Sequence, residues 1–189
     1  MIRIALVGSI GSGKTFISSL FGYPVFNADQ SVSKIYSNNK KIFYKLKKRL
    51  PKFFTDPPIK KEELIKAIVK NKNSLNIISK IVHPEVRKDL QKFIKKHNKK
   101  KAIVLDIPLL LENKLNKKKD VIIFVKSPNT EVLKRLKKRK NFNNLVLQQL
   151  KKIQLPLDIK IRHAHYVIKN NFKKDSVRKN VKDILNKIL

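Results

Sequence analysis

Residues Gly8 to Thr15 read GSIGSGKT and follow directly on the apolar run Ile2-Arg3-Ile4-Ala5-Leu6-Val7. This is the pattern G-x-x-x-x-G-K-[ST], a loop that leaves a buried strand, cradles phosphate oxygens and opens a helix. Few patterns constrain a chain as strongly, because the loop works only between a strand and a helix N-terminus. Gly8, Gly11 and Gly13 permit positive φ, so successive backbone N–H groups can turn inward toward an anion. Lys14 adds a point charge, and Thr15 offers a hydroxyl to a magnesium ion. The N–H of Phe16 falls where a helix N-terminus favours negative charge. Glycine-rich turns also join strands to helices without a ligand. Here the preceding strand and the helix-compatible residues Phe16, Ile17, Leu20 and Phe21 agree with the full motif. Gly8, Gly11, Ser12, Gly13, Lys14, Thr15 and Phe16 are therefore the candidate nucleotide-binding residues.

Length and composition bound the rest. At 189 residues with 41% hydrophobic residues, the chain can build one globular domain that carries small inserted subdomains. The first apolar run ends in the phosphate loop, so no secretory leader is expected. The run Leu105 to Leu111 is far short of a bilayer span. No membrane association is expected, and the absence of cysteine excludes disulfides and cysteine-ligated zinc. The plain expectation is a cytoplasmic protein.

The charge is extreme, with 46 Lys and Arg against 13 Asp and Glu, formally +33. Such a balance raises nucleic-acid binding, since neutralising phosphates releases counterions. The lysines are spread through nearly every segment, among them Lys40-Lys41, Lys60-Lys61, Lys95-Lys96, Lys117 to Lys119 and Lys173-Lys174, so no tail or stripe concentrates them. Abundant Lys, Asn and Ile together suggest A/T-biased codons, with lysine filling solvated faces. Nucleic acid is not the expected partner, whereas a positive field suits polyanionic small substrates.

Five short apolar runs have strand character: Ile2 to Val7, Pro24 to Asn27, Ala102 to Ile107, Val121 to Val125 and Tyr166 to Lys169. The strongest are nearly continuous in apolar residues, as when helices cover both faces of a parallel sheet. The long connections permit helical crossovers. An α/β fold follows, a P-loop NTPase-type parallel sheet of about five strands flanked by helices. A first helix is expected over Phe16 to Phe21, stopped by Gly22. A helical insertion is expected over 31–100, with one helix around Glu62 to Val69, one over Ser74 to Val82, and another started by Pro84 and continued by Val86, Leu90, Phe93 and Ile94. A second insertion, 129–162, reads as two helices, Glu131 to Leu136 and Leu145 to Ile153, joined by a polar turn at 141–144, and suits a small mobile lid. At the C-terminus, Asp175 or Ser176 is expected to cap a helix whose Val177, Val181, Leu185 and Ile188 pack into the core. The core is then 1–30, 101–128 and 163–189, making one domain.

Several polar positions narrow the chemistry. Asp29 lies just past the second strand, and the carboxyl ends of parallel strands face the ligand crevice. A carboxylate there can accept a proton from an attacking hydroxyl, or cap a helix starting near Gln30; both readings stand. Asp106 ends the third run and holds the position of a Walker B acid near magnesium. Glu112 can orient a substrate or pair with a lysine. His83 and Arg87, four apart around Pro84, can share a helix face. Arg135 and Arg139, also four apart, are forked cations suited to phosphate oxygens in a chain dominated by lysine.

These features together resemble the dephospho-coenzyme A kinases, P-loop kinases of the nucleoside-monophosphate-kinase type, over almost the whole chain. The resemblance is carried by GSIGSGKT, by Pro24-Val25-Phe26-Asn27-Ala28-Asp29, by Ile59 to Leu64, and by His83-Pro84-Glu85-Val86-Arg87. It continues through Asp106-Ile107-Pro108-Leu109-Leu110-Leu111-Glu112, Arg135-Leu136 with Arg139, Gln149, Gln154, and Ala164 to Asn170. The ordered pair HPxVR and DxPLLxE is its most specific part.

The resemblance implies transfer of the ATP γ-phosphate to the ribose 3′-hydroxyl of dephospho-coenzyme A, with Mg²⁺ held by Thr15 and Asp106. Asp29 would receive the hydroxyl proton, while Lys14 and Arg139 neutralise charge on the transferred group. Arg135, Arg139 and Asn170 would join the ATP site, Asn170 near the adenine. Asp29, His83, Arg87, Asp106, Leu109 and Glu112 would bind the acceptor, with 31–100 holding the coenzyme A moiety. A monomer is expected. Ser9 stands where the family usually has glycine, Lys61 and Leu150 where arginine is common, and His165 where an acid follows alanine. The rival readings are another small-molecule or nucleoside kinase of this fold, and a P-loop nucleic-acid-binding protein.

Overall fold

The computed structural model describes residues 1–71, 73–139 and 142–189. Lys140 and Asn141, at the turn expected between the lid helices, lie outside the described residues. The chain forms two compact units. The first comprises Met1–Asn27, Lys96–Phe142 and Ile153–Leu189; the second comprises Ala28–Lys95 and Asn143–Lys152.

The first unit is built on β1 (Ile2–Gly8), β2 (Val25–Asn27), β3 (Ala102–Asp106), β4 (Val121–Lys126) and β5 (Tyr166–Lys169). They form one sheet in the order β2-β3-β1-β4-β5, with every neighbouring pair parallel. The five expected runs are these five strands to within about one residue. Burial explains why they were readable: all five residues of β3 are buried, and so are Ile4, Ala5, Leu6 and Val7 of β1. Strands covered on both faces select apolar residues at every position rather than alternate ones.

Register then fixes what the sheet presents at its carboxyl edge. Leu6 of β1 stands beside Asp106 of β3, Asn27 of β2 also stands beside Asp106, and Gly8 stands beside Val125 of β4. Strand order reverses around β1, so the loop after it opens at the topological switch point, where open α/β sheets bind ligands.

Helix α1 (Lys14–Ser19) leaves that loop, and Gly22 beyond it takes φ 71, the left-handed geometry expected of a helix stop. Ile17 and Phe21 enter the core beside Ile4, Leu6, Val104, Ile123 and Ile168. The C-terminal helix, numbered α9 in chain order (Lys174–Ile188), adds buried Val177, Val181 and Ile184, with Leu185 and Ile188 partly buried against the same cluster. Each fully buried side chain of this kind contributes about 1.5–3 kcal/mol. The expected cap differs. The helix begins at Lys174 with Asp175 already inside its first turn, because Asn171 Oδ1 accepts the Lys173 N–H at 3.0 Å and starts the turn earlier.

The second unit is helical: α2 (Ala28–Asn38), α3 (Lys40–Arg49), α4 (Lys61–Lys70), the body of α5 (Ser74–Lys96) and α7 (Asn144–Lys152). Ile35, Ile42, Phe43, Leu46, Phe54 and Ala67 are among its buried side chains. Asn39 caps α3, its side chain accepting from Ile42 N–H, and Glu63 reaches back to the Lys60 N–H at the start of α4. Ser31 donates to Asp89 at 2.6 Å and ties α2 to α5.

Two expectations are corrected here. Helix α5 runs unbroken through Pro84, where two helices were expected. A proline removes one hydrogen bond, but Ile78, Val82, Val86 and Leu90 recur every fourth residue on both sides of it, and their burial holds the helix continuous. Helix α2 starts at Ala28, so Asp29 lies inside its first turn rather than capping a helix begun at Gln30. Helix α7 of the 129–162 segment packs against α4 within this unit. The flanking α6 (Asn129–Lys137) and α8 (Leu157–Arg162) belong to the first unit, and α8 was not anticipated as a helix.

Candidate functional site

The loop after β1 has the conformation its glycines allow. Gly8, Gly11 and Gly13 take φ 150, 81 and 88, and Gly13 is the left-handed residue before α1. Space is also limiting. A methyl group on Gly8 would lie 2.7 Å from the Val125 carbonyl oxygen, and one on Gly11 would press Val132 and Leu136 of α6. Ser9 carries no positive φ, so a side chain is tolerated there. Only its backbone is used: the Ser9 carbonyl accepts from Ser12 N–H and from Lys14 Nζ at 2.7 Å. Lys14 is buried and also donates to the Gly8 carbonyl at 3.2 Å, which folds its ammonium over the loop. The Ser12 hydroxyl is buried without a protein partner. A buried hydroxyl and a buried ammonium in a glycine-rich loop that opens a helix form a donor set that fits phosphate oxygens.

At the neighbouring strand end, Thr15 Oγ1 and Asn27 Nδ2 both donate to Asp106 Oδ2 at 2.7 Å. Asp106 is 3% exposed. Residues 15 and 106, far apart in sequence, meet because β1 and β3 are adjacent and in register. Hydroxyl and carboxylate oxygens are the hard ligands that Mg²⁺ takes, with phosphate and water supplying the remainder, so this pair fits that ion. Asn27, part of the run Pro24 to Asp29, was assigned no role of its own from the sequence. It orients the carboxylate.

The ends of β4 and β5 complete the surround. Ser127 Oγ and Asn170 Nδ2 donate to the Ser12 carbonyl at 2.9 and 2.8 Å, and Asn170 Oδ1 accepts the Phe172 N–H at 2.9 Å. Phe172 holds φ 62, unusual for a side chain of its size, and its ring lies 4.6 Å from the Arg135 guanidinium carbon, a cation–π contact. Arg139 follows the end of α6, its N–H bonded to the Leu136 carbonyl, so it lies beyond the helix that carries Arg135. Helix α6 stops two residues earlier, at Lys137.

Glu112 is committed within the first unit. Its Oε1 accepts from Lys160 Nζ at 2.7 Å and from Leu155 N–H at 3.0 Å, the lysine being buried and the Glu112 side chain 9% exposed. Of the two roles open to it, the lysine pair is therefore formed. Leu109 lies half-buried in the turn between, its carbonyl accepting from Asn113. In the second unit, Asp29 is exposed in the first turn of α2, and His83 and Arg87 lie one turn apart on α5, half-buried and exposed.

A family model described as dephospho-CoA kinase matches residues 2–175. A protein of Wolbachia pipientis wMel named dephospho-CoA kinase is 32% identical over 190 residues, covering 98% of this chain and 97% of its own. The chain belongs to the dephospho-CoA kinase family. Among solved structures, a Thermus thermophilus protein aligns with a TM-score of 0.78 at 24% identity, over 100% of this chain and 98% of its own. The dephospho-CoA kinase from Campylobacter jejuni aligns with a TM-score of 0.63 at 22% identity, over 98% and 96%. Both show the same fold, and the parallel five-stranded sheet is that of a P-loop kinase.

Seen within the dephospho-CoA kinase pattern, three departures have local explanations. Ser9 contributes backbone alone. His165 extends the β4–β5 pairing: its N–H donates to the Ile122 carbonyl at 2.8 Å, and its Nδ1 accepts the Ile122 N–H at 3.0 Å. An acid at 165 offers the same kind of acceptor. Leu150, half-buried in α7, belongs to a helix that packs on α4, where an apolar side chain contributes to burial. Ser127 escaped sequence reasoning because a lone serine after a strand matches no motif; its position at the carboxyl end of β4 was the available signal.

Proposed function

We propose that this protein transfers the γ-phosphate of ATP to the ribose 3′-hydroxyl of dephospho-CoA, yielding CoA and ADP. The observation that carries the donor half is the meeting of Thr15 and Asp106 beside the loop in which Lys14 folds over Gly8 and Ser9. Family membership carries the acceptor half. In this reading Gly8, Gly11, Ser12, Gly13, Lys14, Thr15 and Phe16 bind the ATP phosphates.

Thr15 and Asp106 would hold Mg²⁺, which when bound neutralises phosphate charge and aligns the β- and γ-phosphates. Asn27 keeps Asp106 turned toward Thr15. Lys14 and Arg139 stabilise charge on the transferred group. Arg135, carried by α6 beside the loop, and Asn170 complete the ATP side. Asp29 accepts the proton of the 3′-hydroxyl, leaving an alkoxide-like oxygen to attack phosphorus while ADP departs. Phosphoryl transfer needs positioning and charge stabilisation rather than a covalent protein intermediate.

His83 and Arg87 bind the coenzyme A moiety together with the helical segment 31–100. Leu109 lines the acceptor side, and Glu112 supports it through its pair with Lys160. The segment 129–162 acts as a lid that excludes water from the reacting phosphate. We further propose a cytoplasmic monomer; among the described residues no helix is long and apolar enough to cross a membrane.

An acceptor panel tests the reading. ADP release should accelerate with dephospho-CoA and stay at its background rate with shikimate, deoxyadenosine or RNA. Acceleration by one of those three, with dephospho-CoA inert, would replace it.

A further inference from the structure

The Ser12 carbonyl of the phosphate loop is held by two side chains from outside the loop. It accepts Ser127 Oγ–H at 2.9 Å and Asn170 Nδ2–H at 2.8 Å, from residues that directly follow β4 and β5. Asn170 is firmly placed. The Asn170 N–H is bonded to the Lys126 carbonyl at 2.7 Å, continuing the β4–β5 pairing, and Asn170 is 2% exposed. Its amide orientation is set by chemistry, since the Phe172 N–H requires an acceptor and so takes Oδ1, leaving Nδ2 for Ser12. The amide nitrogen also closes on Gly13, where any Cβ would collide with Nδ2.

The bond between Ser12 and Gly13 is an ordinary trans peptide. In a planar trans peptide the C=O and the next N–H point in opposite directions. Drawing the Ser12 oxygen toward the ends of β4 and β5 therefore turns the Gly13 N–H away from them. Gly13 has no Cβ and a left-handed φ of 88, so its own conformational preference sets that orientation weakly. An external clamp is needed to keep one peptide orientation out of two.

We propose that Ser127 and Asn170 are positioning residues for ATP: by clamping the Ser12 carbonyl from behind, they aim the Gly13 N–H into the phosphate cradle without touching the nucleotide phosphates themselves. This rests on the reading of the loop as the ATP site. It assigns a function to Ser127 that its isolated position in the sequence did not suggest, and it accounts for the glycine at 13 by the approach of Asn170 as well as by φ.

Two donors on one acceptor predict a particular pattern. Removing either leaves the carbonyl held by the other; removing both frees the peptide to flip. The full-length protein and its Ser127→Ala, Ser127→Thr, Asn170→Ala and Ser127→Ala/Asn170→Ala variants are titrated with ADP by calorimetry, and KM is measured separately for ATP and dephospho-CoA. Ser127→Ala should raise the ADP Kd about threefold and Asn170→Ala about fivefold, each the scale of a single neutral hydrogen bond. The double variant should exceed the product of the two, reaching about 50-fold, because neighbouring groups that serve one acceptor are not additive. Ser127→Thr, which keeps the hydroxyl, should stay within about twofold of wild type. KM for ATP should follow the ADP Kd while KM for dephospho-CoA stays constant, a split that general destabilisation does not produce. An unchanged ADP Kd in the double variant, a double effect no larger than the product, or a matching rise in the dephospho-CoA KM would each overturn the proposal. If wild type binds no ADP, the ATP-site reading falls and the proposal with it. If wild type binds ADP but does not phosphorylate dephospho-CoA, only the acceptor assignment falls.

Discussion

Replacing Gly13 by alanine should damage both the fold and the nucleotide site, and the size of the damage can be worked from the geometry. Gly13 holds φ 88 and ψ 18. A residue with a Cβ in that left-handed region loses about 1–2 kcal/mol. The new methyl group would also overlap the amide nitrogen of Asn170, which is buried and cannot swing into solvent. Its withdrawal removes the bond to the Ser12 carbonyl, worth about 1 kcal/mol net. The sum is about 2–3 kcal/mol, which for a chain of this length lowers Tm by about 5–10 °C. Gly22 supplies the control. It has a similar φ of 71, but nothing lies within 4 Å of a Cβ built there. Gly22→Ala should therefore cost only the backbone part, about 1–2 kcal/mol, and leave ADP binding intact. Differential scanning calorimetry of both variants, with and without ADP, separates the two contributions. Equal shifts in the two proteins, or Gly13→Ala bound and protected by ADP as wild type is, would refute the reasoning that Asn170 and Gly13 are fitted to each other.

Asp29→Asn should lower kcat by about 10²–10⁴, the usual scale of general-base loss, with the ADP Kd unchanged; near-normal turnover would remove the assigned role. Glu112→Gln leaves Lys160 buried beside a neutral amide, and breaking a buried pair costs about 3–5 kcal/mol, so urea unfolding should show a loss near the lower end while ADP binding at low temperature persists. Burial pushes the Tyr36 hydroxyl up to about 12 from its ordinary 10.0. The raised value makes this contribution complete below pH 10 and progressively lost as pH rises toward 12, where the unfolded chain releases a proton that the folded one retains. Tyr36→Phe should accordingly lose about 2–3 kcal/mol less stability than wild type over that interval; identical pH profiles would count against the burial argument.

The donor half of the site was legible because its parts are tied to local rules. A glycine loop between a both-faces-buried strand and a helix admits few geometries, and an acid at the end of β3 must lie near that loop once the strands are adjacent. The meeting of Thr15 with Asp106 follows from strand register alone. Helix boundaries were less legible. Pro84 reads as a helix start by its own chemistry, but the stripe of Ile78, Val82, Val86 and Leu90 outweighs one missing hydrogen bond. Arg135 and Arg139 stand four apart in the sequence, as in one helix, but α6 ends between them. Asn27, Ser127 and the amide of Asn170 act through hydrogen bonds to residues distant in sequence. Such bonds leave no periodic or compositional trace, and only the sheet order brings the partners together.

The most direct test of the central claim is the identity of the phosphorylated product. Purified protein with ATP, Mg²⁺ and dephospho-CoA is followed by ³¹P NMR and mass spectrometry. The account predicts one ADP formed per acceptor consumed, with the new phosphate a monoester on the ribose 3′-oxygen. ADP accumulating with no phosphorylated acceptor, or a phosphate found at any other position, would contradict it.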